Sequence, residues 1–266
     1  MADELANDAA ADFDSFDLRP DRLALEAGEV HVWRASLDCD GRVLHQFGET
    51  LTPDEKARAS RFAFQPDRDS YIAARGVLRE LLGRYLNRAP SEIEFEYGPQ
   101  GKPALRSGSS ARPVQFNVSH SHGMALFAFA VGRQVGVDVE LVRADFAGEK
   151  IAERFFSSQE VKELRSLPVT MRDEGFFRCW TRKEAYIKAR GEGLQIPLKS
   201  FHVSLTPGKP ARLQADDTFR WSLRSLRLDT RYVGAVVGEG QGWKLCGGEW
   251  KAGNHRWPNS SIRFST

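Results

Sequence analysis

Strict alternation of apolar and polar residues over 135–141 (VGVDVEL) predicts a strand, with Val137, Val139 and Leu141 toward a core and Asp138 and Glu140 on the opposite face. The same period of two marks 31–37, 114–118 and 124–131, the last two joined by Ser119-His120-Ser121-His122-Gly123. Shorter strands are expected around 201–205, 219–228 and 232–237. Apolar spacings of three and four predict a helix over 67–87, whose stripe is Tyr71, Ala74, Leu78, Leu81 and Tyr85. Arg68, Arg75 and Arg79 fall opposite that stripe, the pattern of a solvated face. Thr52-Pro53-Asp54-Glu55 reads as a helix start, with Thr52 as the cap, Pro53 in the first turn and Glu55 placed to close a capping box. Helices are also expected near 147–156, over 158–167 and over 171–189, the last ended by Gly191-Glu192-Gly193. Residues 98–103 (GPQGKP) read as a turn that holds Lys102 between glycine and proline.

Both ends depart from this patterning. Residues 1–20 are rich in Ala and Asp and poor in large apolar groups, so an acidic disordered leader is expected, and 251–266 reads as a polar tail. Residues 1–18 carry six acids and no base, so the net charge of +2 conceals a body of +8 over the remaining chain. A positive body favours an anionic ligand or partner. No Lys/Arg run is interleaved with aromatics, so nucleic acid is not expected as that partner. The 266 residues, 41% hydrophobic and 28% charged, suit one large globular domain or two small ones packed together. No apolar run approaches the ~18 residues of a membrane span, and the N-terminus lacks the basic and apolar regions of a signal peptide. A cytoplasmic location without membrane attachment is therefore expected. Cys39, Cys179 and Cys246 lie far apart with no CxxC pair, so reduced thiols are expected rather than a disulfide framework or a zinc site.

Asp138 and Glu140 are separated by one strand repeat, roughly 6–7 Å at the backbone. Beside core valines such a pair repels itself unless something neutralises it, and Mg²⁺ takes one or two carboxylates together with substrate phosphates. A strand face with both acids in water is the plainer reading of these two residues alone. In Phe176-Phe177-Arg178-Cys179-Trp180-Thr181-Arg182-Lys183-Glu184-Ala185-Tyr186-Ile187-Lys188, one helical stripe holds Phe176, Trp180, Lys183 and Ile187. Its neighbour holds Phe177, Thr181, Glu184 and Lys188. Glu184 and Lys188 read either as a surface ion pair worth ~0.3–0.5 kcal/mol, or as a metal-binding or proton-accepting carboxylate beside a cation that faces phosphate. Phe116-Asn117-Val118-Ser119-His120-Ser121 offers an anion pocket of hydroxyl, imidazole and backbone N–H groups, or only a polar turn. A Ser-His nucleophile pair lacks the GxSxG elbow, and adjacent strand residues point to opposite faces.

The ordered trio FNVSHS, VGVDVE and FFRCWTRKEAYIKARGEGL resembles the signature of the 4′-phosphopantetheinyl transferase superfamily, and the chain length resembles its monomeric, surfactin-type class. The resemblance covers most of 50–205, including 52–62, the GKP turn, Arg154-Phe155-Phe156-Ser157 and Ile196-Pro197-Leu198. It implies an α+β fold of two similar, pseudo-symmetric α/β halves. Each half would be a small, mainly antiparallel sheet packed on a long helix, with the active site in the cleft between them. The implied division is the leader 1–20, an N-terminal half 21–134 with coenzyme A contacts, a C-terminal half 135–250 with metal and catalytic residues, and the tail.

The resemblance further implies transfer of the 4′-phosphopantetheine group of coenzyme A to a serine of an apo acyl or peptidyl carrier protein, releasing adenosine 3′,5′-bisphosphate. It assigns Mg²⁺, replaceable by Mn²⁺, to Asp138, Glu140 and Glu184. Glu184 becomes the general base, Lys188 the group that stabilises the leaving phosphate, and Lys183 a further phosphate contact. Ser119 and His120 match residues that meet coenzyme A phosphates, His120 at the 3′-phosphate. Lys102 is expected near the nucleotide, and Arg75 on the helix that lines the pocket. Glu55 stands where a lysine often serves the 3′-phosphate, so that contact shifts to Lys56 and Arg58 or is lost. An acidic carrier, bound transiently by a monomer, suits the positive body. The rivals are a metal-dependent phosphohydrolase acting on nucleotides and a non-catalytic nucleotide-binding module, and intact metal carboxylates argue against the second.

Overall fold

The computed structural model describes residues 11–12, 23–98, 101–106, 113–144, 148–229 and 231–252. Among the described residues the strands are β1 (Ala11–Asp12), β2 (Glu29–Ser36), β3 (Phe95–Tyr97), β4 (Pro103–Leu105), β5 (Val114–Ser121), β6 (Met124–Val131), β7 (Val135–Leu141), β8 (His202–Val203), β9 (Leu213–Gln214), β10 (Trp221–Arg227), β11 (Tyr232–Glu239) and β12 (Lys244–Trp250). The helices are α1 (Gly41–Thr50), α2 (Pro53–Ala59), α3 (Gln65–Leu86), α4 (Gly148–Phe155), α5 (Ser158–Ser166) and α6 (Val169–Arg190). The expected leader lies outside the described residues except for β1, which pairs parallel with Leu226 and Arg227 of β10. The tail beyond Ala252 also lies outside them. No described helix is long and apolar enough to cross a membrane.

The class is α+β with small, mainly antiparallel sheets, as expected. Packing divides the chain into two compact units, one built chiefly from Leu25–Arg34 and Glu94–Gly248, the other chiefly from Ala35–Ile93. This grouping by contact differs from the expected halves 21–134 and 135–250.

In the smaller unit Thr52 and Glu55 form the expected capping box: Glu55 N donates to Thr52 Oγ1 (3.4 Å) and Thr52 N to Glu55 Oε2 (2.9 Å). The same Glu55 side chain is buried, 3% exposed, and overturns the expectation of a solvated arginine row on α3. Arg79, fully buried, donates twice to Glu55 Oε2 (3.0 and 2.7 Å) and once each to the carbonyls of Pro90 (2.9 Å) and Ile93 (2.8 Å). Arg75 Nε lies 3.3 Å from Glu55 Oε1. A buried guanidinium persists where its donors are matched by a carboxylate and carbonyls, and α2 supplies that carboxylate from its first turn. Helix α1 was not expected; Asp40 caps it by accepting from Val43 N (2.9 Å), and Val43 and Phe47, four apart, are its buried residues.

In the larger unit the strand orders are β1-β10-β11-β7 and β12-β2-β6-β5. Val135, Val137 and Val139 of β7 join Leu126, Ala128, Ala130 and Val236 in one core. The opposite face of β7 takes α6, and the contact is set by Gly136. A Cβ there would stand 2.2 Å from Ala185 O and 2.3 Å from Ala189 N, both backbone atoms of α6. Helix and strand thus touch backbone to backbone at Gly136, and the next residues on that face are Asp138 and Glu140. Gly136→Ala is expected to destabilise by about 1–3 kcal/mol or more, since neither backbone can yield locally. Gly48→Ala, with open space around its Cβ, should change stability little. Chemical denaturation of the two variants checks the contrast.

Candidate active site

Helix α6 is buried almost all round from Gly175 to Ala189. Phe176, Phe177, Tyr186 and Ile187 join Phe156, Leu198, Phe201, Val233 and Val237 in one core. Trp180, Glu184 and Lys188, spaced i, i+4 and i+8, are only half-buried, and all three line a cavity of about 490 Å³. Lys102, Asn117, Phe155 and Leu198 complete much of its wall. The cavity is of a size that takes a small-molecule ligand, with an apolar side formed by Phe155, Trp180, Ile187 and Leu198 and a charged end at Glu184, Lys188 and Lys102. Phe155 and Trp180 meet edge to face with ring centres 5.9 Å apart.

The charged end is built where β5 runs beside β7. The two strands belong to different sheets, and side chains bridge them in place of a backbone ladder. Asn117 Oδ1 accepts from Val137 N (2.9 Å), Ser119 Oγ donates to Asp138 Oδ1 (2.7 Å), Ser121 Oγ donates to Glu140 Oε2 (2.7 Å), and Leu141 N donates to Ser121 Oγ (3.3 Å). The period of two places Asn117, Ser119 and Ser121 on one face, so each carboxylate of β7 gains its own hydroxyl. Residues 119–121 belong to the strand, and the expected joining segment shrinks to His122 and Gly123, both at positive φ (46° and 84°). A two-residue turn of that conformation matches the twist of a hairpin, so pairing continues to Ser121 opposite Met124. Alternation then leaves His120 exposed, away from Ser119 and Ser121. Partial loss of water around the ring and the Lys188 charge, against the opposing Asp138 charge, push the His120 imidazole below its ordinary pKa.

From α6, Lys188 Nζ reaches Asp138 Oδ1 (2.6 Å) and Ser119 Oγ (3.2 Å). Glu184 lies within electrostatic reach of Asp138 and Glu140, and burial followed by those two charges pushes its carboxyl up to about 6. Burial and the Asp138 charge raise Glu140 as well, against the opposing Ser121 hydrogen bond. Lys102 lies under the end of α6, donating to the carbonyl of Lys188 (2.7 Å) and, at 3.5 Å, to that of Val135. A cation at a helix C-terminus is favoured by the helix dipole, while burial pushes this ammonium down to about 8.

The donor set can be tested for a hard divalent cation. Asp138 Oδ2 is buried without a hydrogen-bond partner among the described residues. Glu140 and Glu184 are acids whose ionised forms are penalised by burial and by the Asp138 charge, Glu184 also by that of Glu140. An all-oxygen set of this kind fits Mg²⁺. The three carboxylates do not bring one oxygen each within 4.8 Å of one another, and the Lys188 ammonium stands against Asp138.

The structure brings Lys102, Ser119, Asp138, Glu140, Glu184 and Lys188 together. Lys183 is placed elsewhere: fully buried, it donates to the carbonyls of Leu198 (2.7 Å) and Phe201 (2.8 Å) and pairs with Glu160 Oε1 (2.8 Å). That corrects the expectation of a phosphate contact, because the ammonium is 0% exposed and its partners are internal. Lys56 and Arg58, both exposed, and the buried Arg75 lie in the smaller unit. Asn117, Ser121, Phe155 and Trp180 were not assigned to the site from sequence. The signal for the first two was present, as polar residues spaced by two along FNVSHS.

The model of the 4′-phosphopantetheinyl transferase superfamily matches residues 134–237, and that of the 4′-phosphopantetheinyl transferase N-terminal region matches 37–131. The chain is 42% identical over 226 residues to the 4′-phosphopantetheinyl transferase HetI of Nostoc sp., covering 85% of this chain and 94% of that one. It is 28% identical to the 4′-phosphopantetheinyl transferase Sfp of Bacillus subtilis, over 72% of this chain and 83% of that one. Identity is 30% with the human L-aminoadipate-semialdehyde dehydrogenase-phosphopantetheinyl transferase, over 71% and 67%. Among solved structures, a holo-(acyl-carrier-protein) synthase from Bacillus anthracis in complex with CoA (3′,5′-ADP) aligns with 40% of this chain and 96% of that one. Its identity of 21% and TM-score of 0.36 are too low to carry an argument about the fold.

Proposed function

The chain belongs to the 4′-phosphopantetheinyl transferase superfamily and is an enzyme of that kind, and we propose that the cluster from Asp138 to Lys188 moves the phosphopantetheine arm of coenzyme A onto a carrier-protein serine. The observation that carries the residue assignment is that Glu184 and Lys188 line one end of the 490 Å³ cavity, with Lys188 bonded to Asp138 and Glu184 within electrostatic reach of Asp138 and Glu140. Asp138, Glu140 and Glu184 would hold Mg²⁺, which when bound offsets pyrophosphate charge. Glu184 takes the proton of the serine hydroxyl as its oxygen attacks the β-phosphorus. The bond from that phosphorus to the departing adenosine 3′,5′-bisphosphate breaks, and Lys188 neutralises the charge left on the leaving oxygen. The apolar wall of Phe155, Trp180 and Leu198 suits the uncharged pantetheine arm or the carrier surface. An acidic carrier meeting a monomer of positive body would associate transiently and with salt sensitivity. The halves 21–134 and 135–250 stay part of this proposal, supported by a cavity lined from both sides of that boundary, Lys102 and Asn117 on one and Glu184 and Lys188 on the other.

Mass spectrometry of an apo carrier protein incubated with coenzyme A and Mg²⁺ tests the reading. One phosphopantetheine added per carrier is expected, whereas coenzyme A cleavage without transfer would favour the phosphohydrolase. Panels of fatty-acid, polyketide, nonribosomal-peptide and reductase carriers would identify the one served. Ser121→Ala removes the hydroxyl that fixes Glu140 and is expected to raise the Mg²⁺ concentration for half-maximal transfer about 10–100-fold. Saturating Mg²⁺ should largely restore the rate; an unchanged Mg²⁺ dependence would remove Glu140 from the metal assignment.

A further inference from the structure

On β2, Glu29 and His31 share one face, and the neighbouring edge strand β12 brings Cys246 to them across 217 positions of sequence. His31 Nε2 lies 3.1 Å from Glu29 Oε2, and Cys246 Sγ lies 3.7 Å from Glu29 Oε1. One donor atom from each residue falls within 4.8 Å of the others. Bonds of about 2.0–2.3 Å at tetrahedral angles place donors about 3.3–3.7 Å apart, so the contacts already approach the spacing of a bound ion. His31 is 1% exposed and Cys246 8%, while the Glu29 side chain, at 20%, opens toward solvent. Lys244, 72% exposed, holds its ammonium 3.4 Å from Glu29 Oε1. Positive charge is thus favoured at this point, and its present carrier sits on a flexible, solvated stem.

We propose that Glu29, His31 and Cys246 form a second metal site, taking a borderline transition metal of the Zn²⁺ class and pinning the edge strand β12 to β2. The donor chemistry separates it from the carboxylates around Asp138: thiolate with imidazole selects Zn²⁺ or Co²⁺, and all-oxygen sets select Mg²⁺. Binding would displace the thiol proton of Cys246 and use the neutral His31 imidazole as a donor.

Titrating the reduced, metal-free, full-length protein with Co²⁺ in excess Mg²⁺ tests this. One equivalent should produce a thiolate-to-cobalt charge-transfer band together with tetrahedral ligand-field bands, and Zn²⁺ should bleach both. Cys246→Ser should lose the charge-transfer band, and His31→Gln should bind Co²⁺ at least tenfold more weakly. In the wild-type protein Zn²⁺ should slow alkylation of Cys246, read by peptide mass spectrometry, while the rate at Cys39 is unchanged. This second measurement needs no variant to fold. Absence of the charge-transfer band, its survival in Cys246→Ser, or alkylation of Cys246 unaffected by Zn²⁺ would each overturn the site.

Discussion

Glu184→Gln is expected to lower kcat for phosphopantetheine transfer about 10²–10⁴-fold while leaving the metal-free protein as stable as wild type, or more so. The rate loss is the usual contribution of a positioned base. The stability expectation follows from the direction of the titration. Burial and the charges of Asp138 and Glu140 raise the folded-state carboxyl from 4.5 to about 6, so the folded chain holds this proton more tightly than the unfolded one. Below pH 4.5 the group costs nothing; as pH rises through 4.5 to 6 its ionisation penalises folding, and above 6 the penalty levels off. A shift of this size in a half-buried group corresponds to about 1–2 kcal/mol. In chelator, the denaturation midpoints of wild type and Glu184→Gln should therefore converge near pH 4.5 and separate near pH 8, with the variant the more stable. A kcat near wild type at saturating Mg²⁺ would remove Glu184 from the base role, whichever way the stability moved.

Lys183→Met should have the largest effect on stability, a loss of about 3–5 kcal/mol. Lys183 and Glu160 are both fully buried, 2.8 Å apart. Glu160 also accepts from Ser157 N (2.7 Å), closing the cap of α5, and from Val203 N (2.8 Å), while Lys183 lies 4.2 Å over the Phe201 ring. The pair ties α6 to α5 and to the segment from Leu198 to Val203. Methionine fills the volume but leaves the buried carboxylate without its ammonium, facing only the His202 ring 3.7 Å from Oε1, which is a counter-charge only when protonated. Lys183→Met with Glu160→Gln removes both charges and keeps an acceptor for one of the two backbone N–H groups, which bond different oxygens of Glu160, so it should recover part of the loss. Urea denaturation of the single and double variants measures the coupling. A loss under about 1 kcal/mol for the single variant would show that the pair is not what holds α6 here. Because Glu184 is the next residue, the same tether also sets the rotation of α6 that turns Glu184 and Lys188 toward the cavity.

Local patterns in the chain were enough for the elements that carry the chemistry. Alternation over VGVDVEL returned β7 with its bounds unchanged, Thr52 and Glu55 formed their capping box, and Gly191 ended α6 in a left-handed turn at φ 73°. These features depend on hydrogen bonds and side-chain spacings spanning a few residues, so their cause is written within the segment itself. The ordered trio of motifs likewise contains Asp138, Glu140, Glu184 and Lys188, which lie within electrostatic reach of one another. Other elements escaped notice, among them α1, short in apolar residues, and β12, whose partner β2 lies at the other end of the chain.

Environment was decided at long range. Arg75 and Arg79, spaced as if for solvent, are buried because Glu55, on another helix, supplies their counter-charge. Lys183, one position from Glu184, turns inward because Glu160 and two carbonyls await it there. Cys246 meets Glu29 and His31, from the other end of the chain, only when β12 joins the sheet beside β2. Residue type and period fix which face of an element a side chain occupies, but the partner and the loss of water come from packing between distant segments. Those two quantities set whether a charged group is a solvated surface, an internal tie or a site.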